Sequence, residues 1–184
     1  MSIIGQEGNS TGMMGYDNVK VIVLDVDGTM TDGGLLYDTS GTESKRFSVK
    51  DGLAIKVAIE AGFTIIVISG RSNSMVERRV SELGIQFYIS DAQVKYPILL
   101  RFLEEHSFLL EEVCYIGDDW NDLQCMREAG ICMCPADAVS EVKATCTFVS
   151  SFNGGHGAVR DCLEELLKRR GERDNACKKL YFAE

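Results

Sequence analysis

Asp25 and Asp27 close an apolar run, Val21-Ile22-Val23-Leu24, and Gly28 and Thr29 follow them. Three of the run's four residues are β-branched, which predicts a strand buried on both faces. Gly28 lets the backbone turn sharply after it. Two carboxylates at such a point are costly to bury unless a cation or hydrogen bonds compensate them. Mg²⁺, which prefers oxygen ligands, suits the pair. One carboxylate could then act as a nucleophile and the other as a proton shuttle. An ordinary turn rich in Asp and Gly is the plainer reading.

Three further pieces favour a site. In Ile65-Ile66-Val67-Ile68-Ser69-Gly70-Arg71, a second apolar run ends in a hydroxyl and a glycine, where free N–H groups could hold a phosphate oxygen. Lys95 follows the acidic turn Ser90-Asp91 and could neutralise a phosphate or the carboxylate pair. Val113-Cys114-Tyr115-Ile116-Gly117 runs into Asp118, Asp119 and Asp122, a density of carboxylate that suits a metal ligand and residues that orient it. Taken singly, these are a turn serine, a solvated lysine and a helix start where acids favour the dipole. All at strand ends and in this order, they point to one site.

The set Asp25-x-Asp27-x-Thr29, Ser69, Lys95 and Gly117-Asp118-Asp119-x-x-Asp122 resembles the haloacid dehalogenase superfamily of phosphohydrolases, over about residues 19–167. The resemblance implies a Rossmann-like parallel sheet, bound Mg²⁺ and a phosphoaspartate intermediate. Asp25 is then the nucleophile and a metal ligand. Asp27 is the general acid/base and offers its backbone carbonyl to the metal. Ser69 and Lys95 bind phosphate, Asp118 completes the metal site, and Asp119 and Asp122 support it. Phosphoryl transfer is mostly positioning plus charge stabilisation, which fits these roles.

The formal net charge of −9 argues against nucleic acid or an anionic membrane as partner. It leaves room for a small phosphorylated substrate, because the field within a site is local. A chain of 184 residues with 45% hydrophobic content suits one domain with one core. No run approaches a transmembrane helix, and the start lacks the features of a signal peptide. Residues 1–18, with four glycines and little apolar periodicity, read as a flexible arm, native or cloning-derived. The seven cysteines include no Cys-x-x-Cys pair. Cys132 and Cys134 would share one face of a strand, and buried reduced thiols in a cytoplasmic protein are the expectation.

Strands and helices alternate along the chain. Strands are expected near 19–25, 65–69, 85–89, 113–117, 131–134 and 146–149. Helices are expected from Asp51 to Gly62, over 72–83, around Pro97, before Gly130, near 137–143 and over 157–170. This predicts an α/β fold, a parallel sheet with helices on both faces. Ligands would bind beyond the C-terminal strand ends, where the motif pieces lie.

Neither the interval from Asp25 to Ser69 nor that from Lys95 to Asp118 has room for a separate cap domain. Residues 33–49 instead read as a β-hairpin flap after the first strand. Its Leu35, Leu36, Tyr37 and Phe47 would be poorly covered on a monomer, and oligomerisation would bury them. The alternative is a hairpin folded back on its own domain. Thr31-Asp32-Gly33 before the hairpin, Phe47-x-Val49-x-Asp51-Gly52, Gly70-Arg71, Glu77-x-Arg79 and Gly154-Gly155-His156-Gly157-Ala158-Val159-Arg160 resemble the 3-deoxy-D-manno-octulosonate 8-phosphate phosphatase family. That implies a homotetramer in which neighbouring hairpins meet, and hydrolysis of a sugar-acid phosphate made for lipopolysaccharide. Asp32, Ser69, Gly70, Arg71, Arg79 and Lys95 are the substrate-binding candidates. Arg71 and Arg79, about two helical turns apart, could hold a carboxylate or phosphate.

The family usually has Gly-Gly-Arg-Gly where His156 stands here. Relatives acting on nine-carbon sialic-type 9-phosphates vary at such positions and tend to have Glu at the position of Arg71, so Arg71 favours the eight-carbon substrate. The tail 171–184 could lie over a neighbouring site or fray. Two other readings differ in class. A non-catalytic assembly module, like the C-terminal domain of acylneuraminate cytidylyltransferase, often lacks a motif carboxylate, whereas all are present here. A phospho-receiver domain carries its acceptor on the third strand, away from the acidic pair.

Overall fold

The structure, a computed structural model, describes residues 14–182. Its frame is a six-stranded sheet of β1 (Val21–Leu24), β4 (Thr64–Ile68), β5 (Phe87–Ile89), β6 (Val113–Ile116), β7 (Ile131–Cys134) and β8 (Phe148–Val149). The order is β5-β4-β1-β6-β7-β8, with every pairing parallel. In β1, β6 and β7 every residue is buried, so their apolar runs need no alternation. Each fully buried Val, Ile or Leu contributes about 1.5–3 kcal/mol.

Helices cover both faces, as the alternation predicts. One core packs α2 (Val49–Glu60), α3 (Ser74–Leu83), α7 (Ala158–Arg169) and α8 (Arg173–Tyr181) against residues such as Ile22, Leu24, Ile65 and Val67. The other packs α4 (Lys95–Glu105), α5 (Leu123–Glu128) and α6 (Ser140–Thr145) against Val21, Val23, Ile66 and Ile68. Because β1 lies between β4 and β6, the chain leaves the centre in one direction and then crosses to the other. Three sequence-distant strand ends thus meet at the switch point. Five cysteines, Cys132 and Cys134 among them, are buried, and Cys146 and Cys177 are partly covered.

The structure differs from the sequence reading in several places. Of the expected arm, residues 14–18 form a helical turn, α1 (Met14–Asn18), held by buried Tyr16; residues 1–13 lie outside the described residues. The tail is helical as α8, anchored on its own domain by buried Ala176; residues 183–184 lie outside the described residues. Helix α2 begins before Asp51, because Ser48 is its N-cap and accepts from Asp51 N. Buried Asp51 instead accepts from Arg160 N at 2.8 Å and so ties α7 to α2. Helix α3 begins at Ser74 because Asn73 accepts from Met75 N, so Arg71 lies in the preceding loop and shares no helix face with Arg79.

The hairpin consists of β2 (Leu36–Tyr37) and β3 (Glu43–Ser44), antiparallel and only two residues long each. Asp38 closes its turn, accepting from Ser40 N and Thr42 N. Leu35, Leu36 and Tyr37 are exposed, while Phe47 packs on its own core. Part of the flap therefore folds back on its own domain and part remains uncovered.

Candidate active site

Asp25 follows β1 directly, and its N–H donates to Ile116 O at 3.0 Å, which fixes it beside the end of β6. Ser69 follows β4 on the other side. Asp25, Asp118 and Asp122 each offer a carboxylate oxygen, all within 4.8 Å of one another. Lys95, at the start of α4, donates to both Asp25 and Asp122, and its side chain is completely buried. This lysine, read singly as a surface residue, is the cation inside the carboxylate cluster.

Asp122 is saturated. Its Oδ1 accepts from Lys95 Nζ and Tyr115 OH, each at 2.7 Å, and its Oδ2 accepts from Asp118 N at 3.1 Å and Asp119 N at 3.4 Å. Asp122 therefore orients its neighbours and has no lone pair to spare for a metal. Asp118 accepts from Thr29 Oγ1 at 3.0 Å and keeps its other oxygen beside Gly28. Gly28 has φ +96°, and a Cβ there would lie 2.0 Å from Asp118 Oδ2, so a glycine is required on both counts.

Lys95 alone does not balance the cluster. Burial, then the charge of Asp122, raise the Asp25 carboxyl well above its usual range despite Lys95. Burial and Asp122 likewise push Asp118 up to about 7 despite the Thr29 bond. Carboxylates that resist ionisation in this way, with oxygens facing one another, fit a hard divalent cation. Asp25 and Asp118 would hold it. The backbone carbonyl of Asp27 accepts no hydrogen bond among the described residues and so is a free third oxygen.

Asp27 is partly buried, and its carboxylate is paired with Lys45 of the hairpin. Glu43 lies 3.4 Å from Lys45 Nζ and accepts from Arg71 Nη2 at 3.0 Å. Buried Ser69 donates to Arg71 O at 3.0 Å and accepts from Arg71 N at 3.2 Å, and Gly70 continues the loop into Arg71. Asp32 accepts from Arg46 Nη2 at 2.8 Å and from Gly34 N at 3.1 Å. These bonds, the Gly34 one first, hold Asp32 below the usual carboxylate range. His156 Nδ1 lies 2.8 Å from Gly154 O and must donate to it, which leaves Nε2 as the acceptor for Arg46 at 2.7 Å. The loop carrying His156 sits tightly on the Gly28–Asp32 turn, where a Cβ on Gly154 would lie 1.8 Å from Gly28 O.

Two candidates stand apart from the cluster. Arg79 donates to Ser48 O at 3.2 Å and packs under Gly52, where a Cβ would lie 2.2 Å from its Nη2. It braces the start of α2 and makes no bond to the carboxylate cluster among the described residues. Asp119 is exposed and accepts from Trp120 N at 2.7 Å. The sequence reading missed Lys45, Glu43, Arg46 and Tyr115. Nothing local separates a hairpin lysine from a solvated one, and Tyr115 reads as a strand residue.

Residues 48–136 match the family model described as haloacid dehalogenase-like hydrolase. The 3-deoxy-D-manno-octulosonate 8-phosphate phosphatase of Haemophilus influenzae is 35% identical over 156 residues, covering 85% of this chain and 87% of that protein. The Escherichia coli K12 protein of the same name is 33% identical over 160 residues, covering 87% and 85%. The crystal structure of the Moraxella catarrhalis phosphatase of that name, in complex with magnesium ion, phosphate ion and KDO, superposes with a TM-score of 0.88. It is 33% identical, covering 92% of this chain and 97% of that one. By this identity over nearly its whole length, and by the strand-end carboxylates just described, the chain belongs to the 3-deoxy-D-manno-octulosonate 8-phosphate phosphatase family of haloacid dehalogenase-like hydrolases.

Proposed function

We propose that this protein hydrolyses 3-deoxy-D-manno-octulosonate 8-phosphate to the free sugar acid and phosphate, with Mg²⁺, in lipopolysaccharide precursor synthesis. The observation that carries the reading is the arrangement of Asp25 and Asp118 around an unbalanced charge, with Lys95 behind them. Relatives named for that substrate, matched over most of both chains, support its identity. Mg²⁺, when bound, supplies positive charge that lets an anionic carboxylate approach an anionic phosphate.

In this reading Asp25 attacks phosphorus and becomes a phosphoaspartate. Asp27 gives its proton to the leaving sugar oxygen and then takes one from the attacking water. Lys95 fixes Asp25 and offsets charge that builds on the phosphoryl oxygens. Ser69 and Gly70 bind the phosphate, and Asp32 and Arg71 contact the sugar acid. Arg79, which donates to Ser48 O, braces the start of α2 in this reading. Asp119 and Asp122 shape the turn beneath Asp118.

The phosphatase domain is proposed to span 19–170, extended by α1 and α8, in a cytoplasmic homotetramer. Exposed Leu35, Leu36 and Tyr37 support hairpins that meet across subunits. No described helix is long and apolar enough to cross a membrane.

The test is Mg²⁺-dependent phosphate release from a panel containing the eight-carbon 8-phosphate and nine-carbon sialic-type 9-phosphates, with Asp25→Asn as control. Preference for the eight-carbon ester, abolished by the substitution, is expected. Preference for a nine-carbon ester would move the substrate and keep the mechanism. No Asp25-dependent release would favour an assembly role.

A further inference from the structure

Lys45 is out of place where it lies. The hairpin around it is short and exposed, with Leu36 and Tyr37 both more than half accessible, yet the Lys45 side chain is 1% exposed. Burying an ammonium costs several kcal/mol unless charge partners compensate it. A methionine would fill the same volume without that cost. The two partners present are Asp27 and Glu43. From the other side, Lys45 is the only hydrogen-bond partner of the Asp27 carboxylate among the described residues. Asp25, by contrast, is held by Lys95, and Asp118 by Thr29.

We infer that Lys45 is the positioning residue for Asp27, so that the hairpin of the same chain completes the acid/base half of the site. The inference rests on the reading of Asp27 as general acid/base. A group that moves a proton must be held within hydrogen-bond reach of the reacting oxygen. Asp27 sits in the turn after β1, and nothing in that turn restrains its side chain. Lys45 supplies the restraint from a separate element. Glu43 lies 3.4 Å from Lys45 Nζ, adds to its charge compensation and accepts from Arg71, so the proton-transfer side and the Arg71 side of the site share the flap segment 43–45. In the step concerned, Asp27, held as a carboxylate by Lys45, takes the proton of the attacking water; the water oxygen–phosphorus bond forms as the Asp25 oxygen–phosphorus bond breaks, which frees phosphate and the Asp25 carboxylate. Lys45 touches none of the reacting atoms; it holds the base.

A double-mutant cycle tests this. Lys45→Met, Asp27→Asn and the double variant are compared with wild type on the sugar-acid phosphate and on p-nitrophenyl phosphate, at saturating Mg²⁺. Thermal unfolding and Mg²⁺ titration establish that each variant is folded. Lys45→Met is expected to lower kcat by about 10–100-fold with KM within about threefold, and Lys45→Arg to restore part of it. The double variant should fall no further than Asp27→Asn alone, because Lys45 acts through Asp27. Additive losses, or a rise in KM with kcat intact, would overturn the inference and make Lys45 a direct substrate contact. Should only the aryl ester be turned over, the proposed substrate fails while the same cycle still decides the role of Lys45. Wild-type kcat in Asp27→Asn would overturn the reading of Asp27 and this inference with it.

Discussion

Lys95 Nζ lies 2.7 Å from Asp122 Oδ1, and both side chains are completely inaccessible to solvent. Burial alone would lower the Lys95 ammonium, but the charges of Asp25 and Asp122 outweigh it and raise the group above its usual range. Lys95 therefore stays charged across the working pH range. Removing it leaves buried carboxylates uncompensated. Lys95→Met is expected to destabilise the metal-free protein by about 3–5 kcal/mol, and saturating Mg²⁺ should recover part of the loss. Urea unfolding with and without Mg²⁺ measures both; unchanged stability would contradict this account of Lys95.

Asp122 should act on the metal without touching it. In Asp122→Asn only one oxygen remains to accept from Lys95, Tyr115, Asp118 N and Asp119 N. Calorimetric Mg²⁺ affinity is expected to fall about 10–100-fold. A fall no larger than that of an exposed substitution such as Asp119→Asn would show that the turn holds its shape without Asp122.

Gly28→Ala should abolish Mg²⁺ binding and turnover while leaving a folded protein. Its Cβ would overlap the Asp118 carboxylate, and its φ is positive. The strain of a non-glycine residue in that conformation costs about 1–3 kcal/mol, which circular dichroism on heating would record as a modest shift. Retained Mg²⁺ affinity would refute the close approach.

The pH dependence of the metal-free protein has a defined sign. Asp118 moves from 3.8 up to about 7, so the folded state binds a proton that the unfolded state has already released. Its contribution to stability is greatest below 3.8 and is lost as pH rises to about 7. Urea midpoints for wild type minus Asp118→Asn should therefore fall across that window. Mg²⁺ should flatten the slope at its upper end, because the cation replaces the proton. A difference that rises with pH would reverse the assignment.

The exposed hairpin face predicts assembly. Wild type is expected to sediment as a tetramer, and Leu36→Asp with Tyr37→Asp to shift it to smaller species while metal binding persists. A monomeric wild type would remove the oligomer from the proposal.

The sequence by itself determined the sheet, the order of its elements and most of the cluster. Apolar β-branched runs that alternate with helical segments fit a parallel sheet buried on both faces. Their ends carry Asp25, Ser69 and Asp118, so period and motif alone place these residues on one edge. The tertiary structure decided what each neighbour does. It placed Lys95 inside the cluster rather than in solvent, spent all four acceptor positions of Asp122, and moved Arg79 to the base of α2. It also brought Lys45 and Glu43 from the hairpin onto Asp27 and Arg71. Such pairings join residues far apart in the chain, and a charged side chain carries no local mark of its partner. Hydrophobic periodicity is a local property that sequence displays, whereas charge compensation is settled only when burial chooses which ions must meet.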